Sequence, residues 1–214
     1  MAVVAVLSEM LHSFGGELCE LEICRGLARR GWQIQVTAGR AGDLLAEWSS
    51  FADVLVVEGQ AERSCKPRRS DINLLYAHDP AQYPRAVCLG RELRLPVVSH
   101  LHLPPPIRTG LARYVRGRYR EKLDPTIFSA ATQVNRFLAV SDYMRQAWTD
   151  AGLPASRVVV VYNGIDTARF RPAQPGERDA IRAELGLAPD ELVYGYIGRL
   201  AACRTRVSGV DGPA

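Results

Sequence analysis

Two histidines two residues apart, His100 and His102, stand in the segment Ser99-His100-Leu101-His102-Leu103, after the apolar run Pro96–Val98 and before Pro104-Pro105-Pro106. On an extended chain residues i and i+2 face the same way, so the two imidazoles share one side. At the end of a strand this pair suits substrate contact, because loops held by a rigid scaffold carry function. Three prolines stiffen the loop leaving the pair, which suits a pocket edge. A metal would need a third ligand, and neither His12 nor His78 is placed by sequence to supply one, so no metal site is expected. His78, in Tyr76-Ala77-His78-Asp79-Pro80, sits at another expected strand end and could line the same cleft, although a structural role is the commoner one for such a residue. Asp79 suits a helix cap, with Pro80 at the first position.

A second segment, Ser13-Phe14-Gly15-Gly16-Glu17, separates the first apolar run from the first helical pattern. Glycines let the backbone approach a ligand closely, and the free amides of a helix N-terminus favour an anion such as a phosphate. The same residues equally fit a tight turn capped by Ser13, with Glu17 well placed in the first helical turn. The chain lacks GxGxxG, GxSxG, P-loop and HExxH patterns, which leaves dinucleotide-fingerprint, esterase, NTPase and zincin chemistry without support. A third segment, Gly110–Lys122, sets Arg113, Arg116, Arg118, Arg120 and Lys122 among Leu111, Tyr114, Val115 and Tyr119. That spacing predicts an amphipathic helix with a basic side. It could touch an anionic membrane through Arg113, Arg116 and Arg120 or receive a phosphorylated acceptor, and a solvated basic face is the alternative. No basic groove interleaved with aromatic residues supports nucleic-acid binding.

These segments need a scaffold that brings strand ends together. Strands are predicted at Ala2–Leu7, Trp32–Thr37, Asp53–Val57, Ile72–Tyr76, Pro96–His100, Arg136–Val140 and Arg157–Val161, and helices at Glu17–Arg30 (closed by Gly31), Ala81–Leu93 and Asp142–Ala151. Strands alternating with helices imply crossover connections and an α/β, doubly wound, mostly parallel Rossmann-like sheet, expected over residues 1–172. Ligands of such sheets bind beyond the carboxyl ends of the strands, so segments that carry chemistry should follow a strand, as Ser13–Glu17 and the histidine pair do. Residues 173–191 read as a linker with one helix at Gly176–Leu185. Leu192–Gly198 reads as the first strand of a further, incomplete domain, and 201–214 as an irregular tail.

The balance of 47% hydrophobic and 23% charged residues belongs to a globular protein, and the net charge of +4 leans only mildly toward anionic partners. No apolar run reaches about 18 residues, and the start MAVVAVLSEM lacks a basic region before its apolar stretch, so a cytoplasmic protein is expected, with the inner membrane face as a possible peripheral site. Five cysteines, odd in number and without CxxC spacing, argue against a disulfide framework or a zinc site.

The ordered set of GGE at Gly15–Glu17, LARRGWQIQV at Leu27–Val36, PVVSHLH at Pro96–His102, LAVSDYMRQAW at Leu138–Trp148 and VYNGIDTARFRP at Val161–Pro172 resembles the amino-terminal, acceptor-side half of glycosyltransferase family 4 enzymes. The resemblance implies a GT-B architecture, two Rossmann-like domains facing a cleft, and retaining transfer of a sugar from a nucleotide-diphosphate sugar to an acceptor that is a sugar, a lipid or a small metabolite. No cofactor is implied. Gly15, Gly16 and Glu17 match the family's substrate-contacting loop, and His102 matches a histidine beside the reacting centre, which makes it the expected catalytic residue. His100, His78 and Asn163 are the further expected substrate contacts. Asn163, Gly164 and Asp166 match the turn that enters the interdomain linker, where Gly164 is suited to a left-handed conformation. Departure of a nucleoside diphosphate creates negative charge that helix-terminal amides and cationic side chains can stabilise. After GRL at Gly198–Leu200 the resemblance stops, so the expectation is an acceptor-side fragment, inactive or partial by itself. A non-catalytic binding domain and a half-enzyme completed by a separate chain are the alternatives.

Overall fold

The computed structural model describes residues 1–57, 66–105, 107–108, 122–123 and 125–195. Seven strands, β1 (Val3–Met10), β2 (Gln33–Arg40), β3 (Asp53–Val56), β4 (Leu74–Tyr76), β5 (Val97–Leu101), β8 (Arg136–Ala139) and β9 (Val158–Val160), form one sheet. Its order is β3-β2-β1-β4-β5-β8-β9, and every pairing is parallel. This is the doubly wound α/β sheet expected from the sequence. The order runs one way from β1 to β3 and the other way from β4 to β9, so the reversal falls between β1 and β4. At such a reversal the connections leave on opposite faces and open a crevice at the carboxyl ends of the strands.

Alternation along β1 divides the core. Val3, Ala5 and Leu7 pack with Tyr83, Ala86, Phe137 and Trp148 on one face, and Val4 and Val6 pack with Leu21, Cys24 and Trp48 on the other. Both faces are covered, which is why the strands read as continuous apolar runs. The first layer holds α3 (Tyr83–Leu93), α4 (Pro125–Ala131) and α5 (Asp142–Asp150), and the second α1 (Gly15–Ala28) and α2 (Leu45–Ser49). Each fully buried large apolar side chain here contributes about 1.5–3 kcal/mol. Trp148 also ties the core to the crevice, because its indole N–H donates to the Leu103 carbonyl at 2.9 Å, just beyond His102.

Several boundaries differ from expectation. β1 runs on to Met10, and α1 starts at Gly15, with Phe14 as its N-cap and no side-chain cap. Ser13 therefore does not cap the helix; its amide donates to Asp43 at 3.0 Å. Leu18, which the apolar stripe places inside, is 41% exposed, and Glu20 is buried in its stead. Gly31, at φ +85°, closes the helix as predicted. The short helices α2 and α4 lack a legible period. Asp79 accepts from the Ala81 amide at 2.7 Å, but the turn it caps is a 3-10 turn, Pro80–Gln82, which leads into α3. Gly164 is not left-handed.

Ile107–Arg108 (β6) and Lys122–Leu123 (β7) pair antiparallel, so the predicted basic helix does not extend through Lys122. Arg113, Arg116, Arg118 and Arg120 lie outside the described residues. The strand predicted from Leu192 is not formed over Leu192–Gly195; residues 196–198 and the tail lie outside the described residues. Cys65 and Cys203 lie outside them as well.

Backbone contacts divide the chain into Met1–Gly164 and Ile165–Ala214. In the second unit Asp166 accepts from the amides of Ala168 and Arg169, and α6 (Glu177–Glu184) starts after Gly176, where Arg171 and Glu177 form a bidentate pair at 2.8 and 2.9 Å. Among the described residues no helix is long and apolar enough to cross a membrane.

Candidate functional site

Three strands deliver the expected residues to one place. β1 leads through Leu11–Phe14 into the amino end of α1, β4 leads to His78, and β5 carries His100 and ends beside His102. A Cβ built on Gly16 would lie 3.4 Å from His78 Cδ2 and 3.7 Å from His102 Cγ, so the missing side chain is what brings the helix end against both rings. A Cβ on Gly15 would meet nothing within 4 Å, which leaves its backbone open to a ligand. The His100 and His102 rings are 4.4 Å apart, as their spacing predicts, and His78 meets His102 edge-on at 6.0 Å. The first amides of α1 have no acceptor within the helix and point toward this pole.

The loop before α1 is held by the loop after β2. Asp43 accepts from the Ser13 amide and contacts His12 Nδ1 at 3.2 Å, and the Leu44 amide donates to the Leu11 carbonyl at 3.0 Å. Gly42 is required there, since a Cβ would lie 2.2 Å from the Leu11 carbonyl oxygen.

The electrostatics separate the three imidazoles. His78 is 7% exposed, with Nδ1 3.0 Å from a carboxylate oxygen of Glu20, itself 1% exposed, and Nε2 3.9 Å from Glu17. The Glu20 contact is an ion pair by distance, not an aligned hydrogen bond. Burial pulls the His78 pKa down, but the charges of Glu20 and Glu17 outweigh it and raise the value to about 10. His100 is pushed down to about 4 by burial and then by the His78 charge. His102 also falls to about 4, through burial, His100 and His78, against an opposing pull from Glu17. Burial raises the Glu17 carboxyl, yet its interactions with His78 and its own amide leave it lowered. At neutral pH the site therefore holds one imidazolium compensated by carboxylates and two neutral imidazoles.

Asn163 reaches the same pole, accepting from the Cys19 thiol at 3.1 Å. Tyr76, buried beneath, hydrogen-bonds with His100 Nδ1 at 3.2 Å. Cys19, His100 and His102 each offer a ligand atom, and these three atoms lie within 4.8 Å of one another. All the expected site residues, Gly15, Gly16, Glu17, His78, His100, His102 and Asn163, thus belong to one neighbourhood. Sequence reasoning missed Glu20, Cys19, Tyr76 and Asp43. Tyr76, two residues before His78 on the same strand, carried a signal; the other three act through partners far away in the chain. A separate cleft of about 630 Å³ at this pole is lined by Glu9, Gln82, Arg85 and Thr126, among others.

The profile of Glycosyltransferase Family 4 matches residues 15–169. Over 120 residues the chain is 35% identical to the alpha-maltose-1-phosphate synthase of Mycolicibacterium smegmatis, covering 54% of this chain and 29% of that protein. Over 49 residues it is 45% identical to the D-inositol 3-phosphate glycosyltransferase of Rhodococcus erythropolis, covering 23% of this chain and 10% of the relative. Among solved structures, Anabaena HepE in complex with UDP-glucose superposes with a TM-score of 0.64 at 20% identity, over 87% of this chain and 50% of that one. The chain thus matches less than a third of the curated relatives and about half of the GT-B structure, corresponding to one domain.

Proposed function

The chain belongs to glycosyltransferase family 4, and from that premise we propose that its crevice at the ends of β1, β4 and β5 is the acceptor-side wall of a retaining sugar-transfer site, with His102 at the reacting centre. The observation that carries the reading is the contact of Gly16 with His78 and His102, which places helix-terminal amides and a neutral imidazole at one point. The donor is a nucleotide-diphosphate sugar, supported by the UDP-glucose bound to Anabaena HepE. The acceptor is a small phosphorylated sugar or cyclitol, supported by the phosphates in the names of both curated relatives and by the open amides at Gly15.

Each group has a separate task. A neutral His102 can accept a hydrogen bond from a sugar hydroxyl or donate one to it without a compensating charge. His78, held cationic by Glu20 and Glu17, fixes the floor beneath Gly16 and acts as a positioning residue. Amides of α1 favour the charge that develops as a nucleoside diphosphate departs or as an acceptor phosphate docks. The donor's nucleotide belongs to a facing domain, so this chain alone is the acceptor-side portion.

The test is transfer of labelled glucose from UDP-glucose to inositol phosphate or a sugar phosphate, by this chain mixed with a separately produced carboxyl-terminal domain of the family. The reading expects His102→Ala to abolish transfer while leaving the melting temperature within a few degrees. Equal rates for His102→Ala and the unaltered chain would overturn it. Submicromolar binding of UDP-glucose by this chain alone would overturn the assignment to the acceptor side.

A further inference from the structure

The third ligand that the sequence withholds from the histidine pair is supplied by the fold. We infer that Cys19, His100 and His102 form a binding site for a thiophilic divalent transition metal, with Zn²⁺ as the ion that fits the donor set best. The three ligand atoms come from α1 and from the end of β5, and lie within 4.8 Å of one another. A tetrahedral zinc with one sulfur and two nitrogens needs donor separations of about 3.4–3.6 Å, from bond lengths near 2.3 and 2.0–2.1 Å, so no pair has to close by more than about 1.4 Å. Cys19 can supply that movement, because it is only partly buried and one rotation about its side chain swings the sulfur.

Two independent observations point to a ligand. His100 is 1% exposed, and its Nε2 is buried with no hydrogen-bond partner among the described residues; His102 Nε2 is likewise buried and unpartnered. Orphaned imidazole nitrogens are costly to bury, and a metal satisfies them. The second observation is the support behind the ligands. Tyr76 engages Nδ1 of His100, which leaves Nε2 for the metal and fixes the ring. On the other side Asn163 accepts from the Cys19 thiol in the metal-free chain, which keeps the sulfur at the pole until its proton is lost. Imidazole with thiolate selects zinc over magnesium or calcium, which want oxygen donors.

Binding breaks the Cys19 S–H bond and forms a zinc–sulfur bond; the proton goes to solvent and the fourth position is left to water. No redox change is involved. Metal and substrate would compete for His102, a consequence that rests on the proposed sugar-transfer reading, whereas the metal site itself does not.

The test uses the 214-residue chain, freed of metal by a chelator and titrated with Co²⁺ as a spectroscopic probe and with Zn²⁺ in competition. The expected result is one equivalent of cobalt binding with release of a proton and giving a thiolate-to-metal charge-transfer band, which zinc then abolishes without further proton release. Cys19→Ser should remove the band, and His100→Ala should weaken binding by at least about tenfold. Tyr76→Phe should weaken it about tenfold, as support behind a ligand does, and Cys88→Ser should change nothing. A cobalt spectrum lacking thiolate character, or equal affinity in Cys19→Ser and the unaltered chain, would overturn the proposal. Because the readout needs no sugar, its failure would leave the transfer reading untouched.

Discussion

Replacing Glu20 with Gln removes the charge that holds His78 protonated while keeping shape and volume. In the folded chain His78 is raised from an ordinary 6.5 to about 10. A group whose folded pKa is raised contributes stability that is complete below its unfolded value and is lost as pH rises through the folded value. If the variant's His78 returns to near 6.5, linkage gives a loss of about 4 kcal/mol at pH 7, about 1.5 kcal/mol at pH 9 and less than about 0.5 kcal/mol at pH 10. The general cost of removing one partner of a buried pair, about 3–5 kcal/mol, agrees with the value at pH 7. Some of this is offset because Gln is cheaper to bury than a carboxylate, so about 2–4 kcal/mol is expected at neutral pH. The assay is urea unfolding of the unaltered chain and of Glu20→Gln at pH 6 to 10, with chelator present. A difference that stays constant across that range, or stays below about 1 kcal/mol at pH 7, would refute the electrostatic account of the crevice floor.

Two further outcomes follow from the same geometry. Imidazole proton signals followed by NMR should show His78 titrating near pH 10 and His100 and His102 remaining neutral down to about pH 4, so stability should also fall below pH 6.5 as the unfolded chain takes up protons that these two rings resist; titration of His102 near 6.5 would contradict its burial. Gly42→Ala would place a methyl 2.2 Å from the Leu11 carbonyl oxygen, an overlap of about 1 Å that should cost about 1–3 kcal/mol in urea unfolding and shift the amide signals of Ser13–Gly16, whereas an effect below about 0.5 kcal/mol would show that this loop does not brace the helix end.

The sheet was legible because a doubly wound fold buries both faces, which turns Val3–Leu7, Val97–Val98 and Phe137–Ala139 into apolar runs that periodicity detects. The His100 and His102 pair was legible for the same reason, since strand geometry alone aligns i and i+2. Glu20 was not. It occupies a helix face read from Leu18, Leu21 and Cys24, and its burial depends on His78, 58 positions along the chain; sequence periodicity carries no term for such a partner. Cys19 was hidden likewise, because its neighbours Asn163, His100 and His102 come from other strand ends. α2 and α4 run for 5 and 7 residues, too short for a 3.6-residue period to show, and they take their order from the layers they cover. Ser13 misled because a serine before a helix fits a cap equally well as it fits the Asp43-braced loop found here.

The central claim is that substrate meets this chain at the ends of β1, β4 and β5. Its most direct test is an amide and imidazole chemical-shift map of the isotopically labelled, metal-free chain titrated with inositol phosphate and with a sugar 1-phosphate. The account predicts changes centred on Gly15, Gly16, Glu17, His78, His102 and Asn163 that vanish when Gly16 is replaced by Val, whose side chain would press on both rings. Changes centred instead on the opposite end of the sheet, around Arg25, Trp32 and Arg69, would contradict it.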